Sequence, residues 1–176
     1  AIHTGDGGRV IVWSEEYTGF YGDISAQGSD LGTGGFVETS SKINLQAFGS
    51  VDATGGLSNG LWLLDPSNVT ITNAEANGAF DGNSPNLFTP TNDDATVNAT
   101  DIRTAINNNT SVQIQTASGQ SQDGNITVDA NADALNSLAN TSATTFTLFA
   151  AGSIEINDPI TSATNALNVT LKANSD

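Results

Sequence analysis

Proton chemistry near neutral pH could rest only on carboxylates and one histidine in this chain, which has 19 Asp and Glu, a single His and no Cys. A glycan hydrolase or lyase needs acids sharing one face beside a base, and a Ca²⁺ site needs several converging carboxylates. On a strand, residues i and i+2 share a face, and the acids do not fall that way. Glu15 and Glu16 are adjacent and oppose each other, Asp93 and Asp94 lie in an irregular stretch, and Asp129 and Asp133 are four apart. Asp23 aligns with Ser50 in a repeated segment while Asp52 aligns with Ser25, so that pair misses by two residues. His3, alone at one terminus, offers neither a triad nor a His metal cluster. Arg9 opens an apolar run and reads as an edge charge; Arg103 sits on a short helical pattern and reads as solvated. The Asp81-Gly82-Asn83 and Asp123-Gly124-Asn125 strings could lend oxygens to calcium, but the nonapeptide calcium repeat is absent and turn formation accounts for them. The sequence therefore supplies no catalytic, cofactor-binding or metal-ligating residue.

Amide chemistry is better represented. Seven Asn-X-Ser/Thr sequons occur, at Asn68, Asn98, Asn108, Asn109, Asn125, Asn140 and Asn168. Asn68 and Asn168 read as lying inside strands, which leaves Asn98, Asn108 and Asn140 as the better glycan acceptors. The competing reading is structural, with Asn and Thr stacked in turns and ladders. Two T-x-T pairs, Thr70/Thr72 and Thr89/Thr91, do not recur at a constant step, which argues against a flat ice-binding array.

These residues must be positioned by a chain of 176 residues, enough for one domain with a real core. Its net charge of −15 arises from having only four Lys and Arg, at Arg9, Lys42, Arg103 and Lys172. Four scattered bases cannot make a phosphate-binding stripe, which excludes nucleic acid and anionic membranes as partners. Uncharged polarity dominates, with 22 Thr, 20 Asn, 18 Gly and 17 Ser. No apolar run approaches the roughly 20 residues of a bilayer span, and residues 1–20 lack the basic start and apolar middle of a signal peptide. The pattern opens and closes mid-repeat, as expected for a slice of a longer exported protein.

Short alternating apolar runs separated by Gly, Asn, Ser and Asp indicate β-structure. Gly22–Gly28 and Gly49–Gly55 both read G-(D/S)-(I/V)-(S/D)-A-x-G at an offset of 27, shared by Gly7-Gly8 and Gly34-Gly35. A second family, Thr127-Val128, Thr147-Leu148 and Thr170-Leu171, recurs at steps of 20 and 23. Such periods fit coils of a parallel β-helix, each unable to bury its apolar face alone. An antiparallel sandwich is the alternative, disfavoured by the repeat offset and the scarcity of two-residue hairpin signals. Residues 1–71 then form the first coils, 72–98 an irregular loop or extrusion, and 99–176 further coils. Ile102 and Ile106, behind a Thr100 or Asp101 cap, predict one short helix.

Two strings, Gly34-Gly35-Phe36-Val37-Glu38-Thr39-Ser40 and Trp62-Leu63-Leu64-Asp65-Pro66-Ser67-Asn68-Val69-Thr70-Ile71, resemble the GGFVETS and WLLDPxNVTI motifs of two-partner secretion exoproteins, the filamentous-haemagglutinin-like adhesins. Gly8 to Gly28 resembles the turn that precedes them, and residues 99–176 resemble the later coils more loosely. The resemblance implies a right-handed parallel β-helix from a secreted, cell-surface adhesin of a Gram-negative bacterium. It also implies a dedicated outer-membrane transporter as secretion partner, and a host, matrix or cell-surface ligand of unspecified kind. The absence of Cys suits a chain threaded unfolded through an oxidising periplasm. The sequence reading is thus an all-β, right-handed parallel β-helix serving as a non-enzymatic rod segment. Self-assembly end to end into a fibre, or glycan degradation, are the alternatives. Within the Trp62 string, Trp62 is expected to face outward under a loop while Leu61, Leu63 or Leu64 fill the core. Val10, Val12, Ile24, Val37, Ile43, Leu45, Val51, Val69, Ile71, Val112, Ile114, Ile126, Val128, Leu148, Ile154, Ile156, Leu167, Val169 and Leu171 complete the expected core.

Overall fold

The computed structural model describes residues 4–84, 88–118, 122–164 and 167–174; His3 lies outside them. The first coil holds β1 (Arg9–Ser14), β2 (Tyr17–Phe20) and β3 (Asp23–Ser25), and the second β4 (Phe36–Ser41), β5 (Asn44–Ala47) and β6 (Ser50–Asp52). The third begins with β7 (Leu61–Leu64) and β8 (Val69–Thr72), then leaves the stack through a hairpin of β9 (Gly78–Phe80) and β10 (Phe88–Pro90). It returns as β11 (Ala95–Asn98) and α1 (Ala99–Asn107). Next come β12 (Ser111–Gln115), β13 (Ile126–Val128) and a 3-10 turn at Asp133–Ser137, then β14 (Thr144–Phe149), β15 (Ile154–Ile156) and β16 (Leu167–Lys172).

Stacked coils make a three-sided parallel β-helix. One side is a six-stranded parallel sheet in the order β1-β4-β7-β12-β14-β16. The second is also six-stranded and parallel, but β11 is wedged between β5 and β8, one layer back from β8 although it follows β8 in the chain. The third side starts as β3 paired with β6, and α1 then packs on β6 and the 3-10 turn packs on α1. The 27-residue offset is the register itself, with Asp23 opposite Ser50, Ile24 opposite Val51 and Ser25 opposite Asp52. The later steps of 20 and 23 are not both register. Thr147 does pair Thr170, but Thr127 lies in the second sheet opposite Glu155, and the fourth coil spans 34 residues from Ser111 to Thr145.

Parallel in-register pairing turns each inward position into a column along the axis. In the first sheet one column runs Val10, Val37, Trp62, Val112, Phe146, Val169. Val37, Trp62, Val112 and Phe146 are fully buried, and Leu64, Ile114 and Leu148 fill the neighbouring column. This corrects the expected orientation of Trp62, which points inward while Leu61 and Leu63 lie half-buried outside. Two facts fix it: Trp62 pairs with inward-facing Val37, and its indole N–H donates to the buried Thr39 hydroxyl at 2.9 Å. A buried indole needs such a partner. The strands of the two strings, β4 and β7, are thus adjacent layers of one sheet, and Val69 to Ile71 of the second string continue into β8 of the second sheet.

Of the other expected core residues, Leu45, Val51, Val69, Ile71, Ile126 and Val128 are buried. Val12, Ile156, Val169 and Leu171 are exposed because they sit on the first and last coils. Between coils the backbones approach so closely that a Cβ on Gly35 would lie 2.3 Å from the Gly8 carbonyl oxygen, and one on Gly60 would lie 2.1 Å from that of Gly35. The short helix is present, but its cap is Asn98 rather than Thr100 or Asp101; the Asn98 side chain accepts from the N–H groups of Thr100 and Asp101.

Asn side chains staple one coil to the next. Asn68 Oδ1 accepts from Asn125 N–H, and Asn125 Oδ1 from Ser153 N–H, both at 2.8 Å. Asn107 accepts from Ala139 N–H, and Asn109 from the N–H groups of Thr141 and Ser142. Asn68 thus stands in the bend before β8 rather than inside the strand.

Candidate functional site

A regular coil uses its inward columns and turns to stack, so features that stacking does not explain mark the places where function can reside. They concentrate on the outer face of the second sheet, beneath the β9–β10 hairpin. Asn44 and Gln46 sit on β5, which has inward-facing Leu45 and Ala47, yet both amides are buried. The hairpin base covers them. Asn44 Nδ2 donates to the Asn92 carbonyl at 2.7 Å, and Gln46 Nε2 to Asn44 Oδ1 at 2.9 Å and the Asp94 carbonyl at 3.2 Å. Gln46 Oε1 in turn accepts from Asn77 N–H at 3.0 Å. Both legs of the excursion are thereby tied to one strand, and Gln122 adds bonds to the Asp93 carbonyl and the Asp94 carboxylate.

Beside this amide clamp lies an aromatic box. The Tyr17 and Phe88 rings stack at 5.6 Å with 16° between planes, Tyr21 stacks on Phe48 at 6.2 Å, and Tyr21 meets Phe88 at 5.8 Å. The Tyr17 and Tyr21 hydroxyls share a hydrogen bond at 2.9 Å, arching over Gly19. A Cβ there would lie 2.4 Å from the Tyr17 hydroxyl oxygen, so the bare backbone makes room for the arch. Burial raises the Tyr17 proton affinity, against a smaller opposing pull from the bond to Tyr21. Burial, and then Tyr17 itself, raise that of Tyr21, so both phenols remain neutral donors. Between box and clamp opens a cleft of about 440 Å³ lined by Glu16, Tyr17, Ile43, Asn44, Phe88, Thr89, Pro90 and Asp93. Ile43, expected in the core, is half-buried on its wall.

Among the described residues no group of three or more His, Cys, Asp or Glu could hold a metal ion. Asp81 accepts from both Asn83 nitrogens as a local turn, and Gly124, following Asp123, adopts φ +76°. Asp65, in the second motif, is half-buried. Burial raises its proton affinity, a bond from Gln115 at 2.8 Å lowers it, and Glu38 raises it. Burial, and then Asp23, raise that of Asp101 on α1. Arg9 opens β1, its guanidinium 5.0 Å from the Phe36 ring centroid, and Arg103 is half-buried on α1.

Of the three candidate glycan acceptors, Asn108 is exposed at the end of α1, Asn98 caps that helix, and Asn140 is fully buried with its Nδ2 donating to the Ser142 carbonyl at 2.8 Å. No protein-family model and no curated protein matches this chain. The hairpin clamp escaped the sequence reading because its partners are dispersed amides with no periodicity; the one available signal was Asn44 and Gln46 on a strand whose inward places Leu45 and Ala47 already fill.

Proposed function

We propose that this chain is a non-enzymatic rod segment of a secreted bacterial surface adhesin, carrying the hairpin and its cleft as the element presented to a ligand. The observation that carries the reading is the contrast between unbroken inward columns in the first sheet and the clamped excursion from the second. The columns make a spacer, and the clamp holds one feature at a fixed place on it. The two motif strings support the adhesin assignment, and with it export through a dedicated outer-membrane transporter to the cell surface. The test is adherence of beads coated with the chain to epithelial cells, to extracellular matrix and to bacteria. Saturable adherence competed by the soluble chain is expected; turnover of acidic or neutral glycans, abolished by changing one acid, would replace this reading with an enzyme.

A second reading, end-to-end self-association, is favoured by the terminal strands. Val12 on β1, and Val169 and Leu171 on β16, continue inward columns yet are 37%, 43% and 48% exposed, and each of the two strands pairs with one neighbour only. Open strand edges of this kind template pairing. Sedimentation that rises with concentration would establish association, and a constant monomer mass would dismiss it.

A further inference from the structure

The cleft under the hairpin is furnished with acceptors and rings but no cation. Its rim carries the Glu16 and Asp93 carboxylates, its wall carries Tyr17 and Phe88, and no Lys or Arg lines it. Neither carboxylate is engaged by another described residue, whereas the Asn44 amide nitrogen is spent on the clamp and the Tyr17 and Tyr21 hydroxyls share one hydrogen bond, which leaves a single phenolic proton between them. A ligand entering here meets acceptors with few donors to answer its own. That disfavours anions and matches a group with several donors and no acceptor, which describes an ammonium and a guanidinium ion alike. Aromatic walls add attraction for such an ion and accommodate an alkyl stem. The chain already makes this pairing elsewhere, with Arg9 over Phe36 at 5.0 Å and Lys172 over Phe149 at 5.9 Å. A net charge of −15 draws cations toward the rod from a distance.

We propose that the cleft bounded by Glu16, Tyr17, Phe88 and Asp93 binds the cationic head of a basic side chain, an alkylammonium or alkylguanidinium, on a partner polypeptide. The inference rests on the adhesive reading for its biological setting and on the cleft alone for its chemistry. The experiment is an NMR titration of the whole chain with Nα-acetyl-lysine amide. Saturable shifts at the Tyr17, Asn44 and Thr89 amides are expected, weakening as salt is raised because the attraction is partly long-range. The Nε-acetylated analogue, which keeps the stem and loses the charge, is expected to leave those amides unmoved.

Glu16→Gln with Asp93→Asn should weaken the lysine probe by about tenfold or more, while the contact between Thr89 and Ala79 across the hairpin persists as a check on folding. Equal shifts from the neutral analogue, undiminished affinity in the double variant, or saturation of the same amides by cellobiose would each overturn the proposal. Spermidine binding far more tightly than the lysine probe would overturn the polypeptide source in favour of a free polyamine. If lysine shifts persist but coated beads fail to adhere, the adhesive reading falls and the cleft assignment stands. If beads adhere and lysine shifts are absent, the cleft assignment falls alone.

Discussion

Single side chains in this protein are governed by which side of a coil they occupy. Trp62 and Trp13 show the contrast, the first fully buried and bonded to Thr39, the second 53% exposed on β1. Trp62→Phe removes volume from a column in which Val37 and Val112 cannot close the gap, and deprives the Thr39 hydroxyl of its donor. The expected cost is about 2–3 kcal/mol in urea unfolding, whereas Trp13→Phe should stay within about 0.5 kcal/mol. Equal effects would mean that Trp62 is not in the core. The sequence made Trp62 conspicuous but not its direction, because Leu61-Trp62-Leu63-Leu64 is apolar at every place and direction comes from the partner strand. Asp65 carries the pH prediction. Its folded proton affinity is raised above that of the unfolded chain, so its contribution favours folding below the unfolded value of 3.8 and is lost as pH rises through the folded value. Asp65→Asn, still able to accept from Gln115, should therefore raise the melting temperature at pH 7 and not at pH 3. The gain should be about 2 °C, kept small by solvent screening at a half-exposed site; a loss at pH 7 would reverse the assigned cause.

At the scale of elements, the regular coils were legible and the irregular one was not. The offset of 27 between Gly22 and Gly49 became the pairing of β3 with β6 because a coil and its successor carry the same turn chemistry at the same places. Thr127-Val128 and Thr147-Leu148 look equally alike, but they belong to different sheets, so a shared strand pattern misleads when the turns between are of unequal length. The insertion of β11 between β5 and β8 breaks sequence order, which no periodicity can signal. Ladders to β5 and β8 hold β11 itself, and the amide clamp holds the hairpin that precedes it. In the variant Asn44→Ala with Gln46→Ala, the Asn92 and Asp94 carbonyls lose partners at a buried site, and they can recover hydrogen bonds only if the hairpin moves into water. The stacking of Tyr17 on Phe88 should then be lost, and cleavage between residues 78 and 90 in limited proteolysis should rise by about an order of magnitude. The rod should lose only about 1–2 kcal/mol, since the inward columns are untouched. Unchanged proteolysis would show that the aromatic box alone secures the hairpin.

For the whole molecule, the decisive property is that each coil is held by its two neighbours. Stability in such a stack is a sum of coil and interface contributions, and opening begins where a coil has one neighbour instead of two. β1 pairs only with β4 and β16 only with β14, while β7 is gripped on both sides and contributes Trp62 and Leu64 to fully buried columns. The Asn staples reinforce the interior, joining the Asn68, Asn125 and Ser153 turns. Amide hydrogen exchange should therefore be graded along the axis, slowest at Leu64 and Ile114 and faster toward Val10 and Leu171. The span should reach several kcal/mol between centre and ends, since a coil stripped of one neighbour loses the burial of several large side chains at roughly 1.5–3 kcal/mol each against the entropy it regains. Trp62→Phe should lower protection in β4 and β12, the strands flanking β7, more than in β16. Uniform protection that falls everywhere by the same amount in that variant would instead describe one all-or-none unit, and the picture of independently held coils would have to be abandoned.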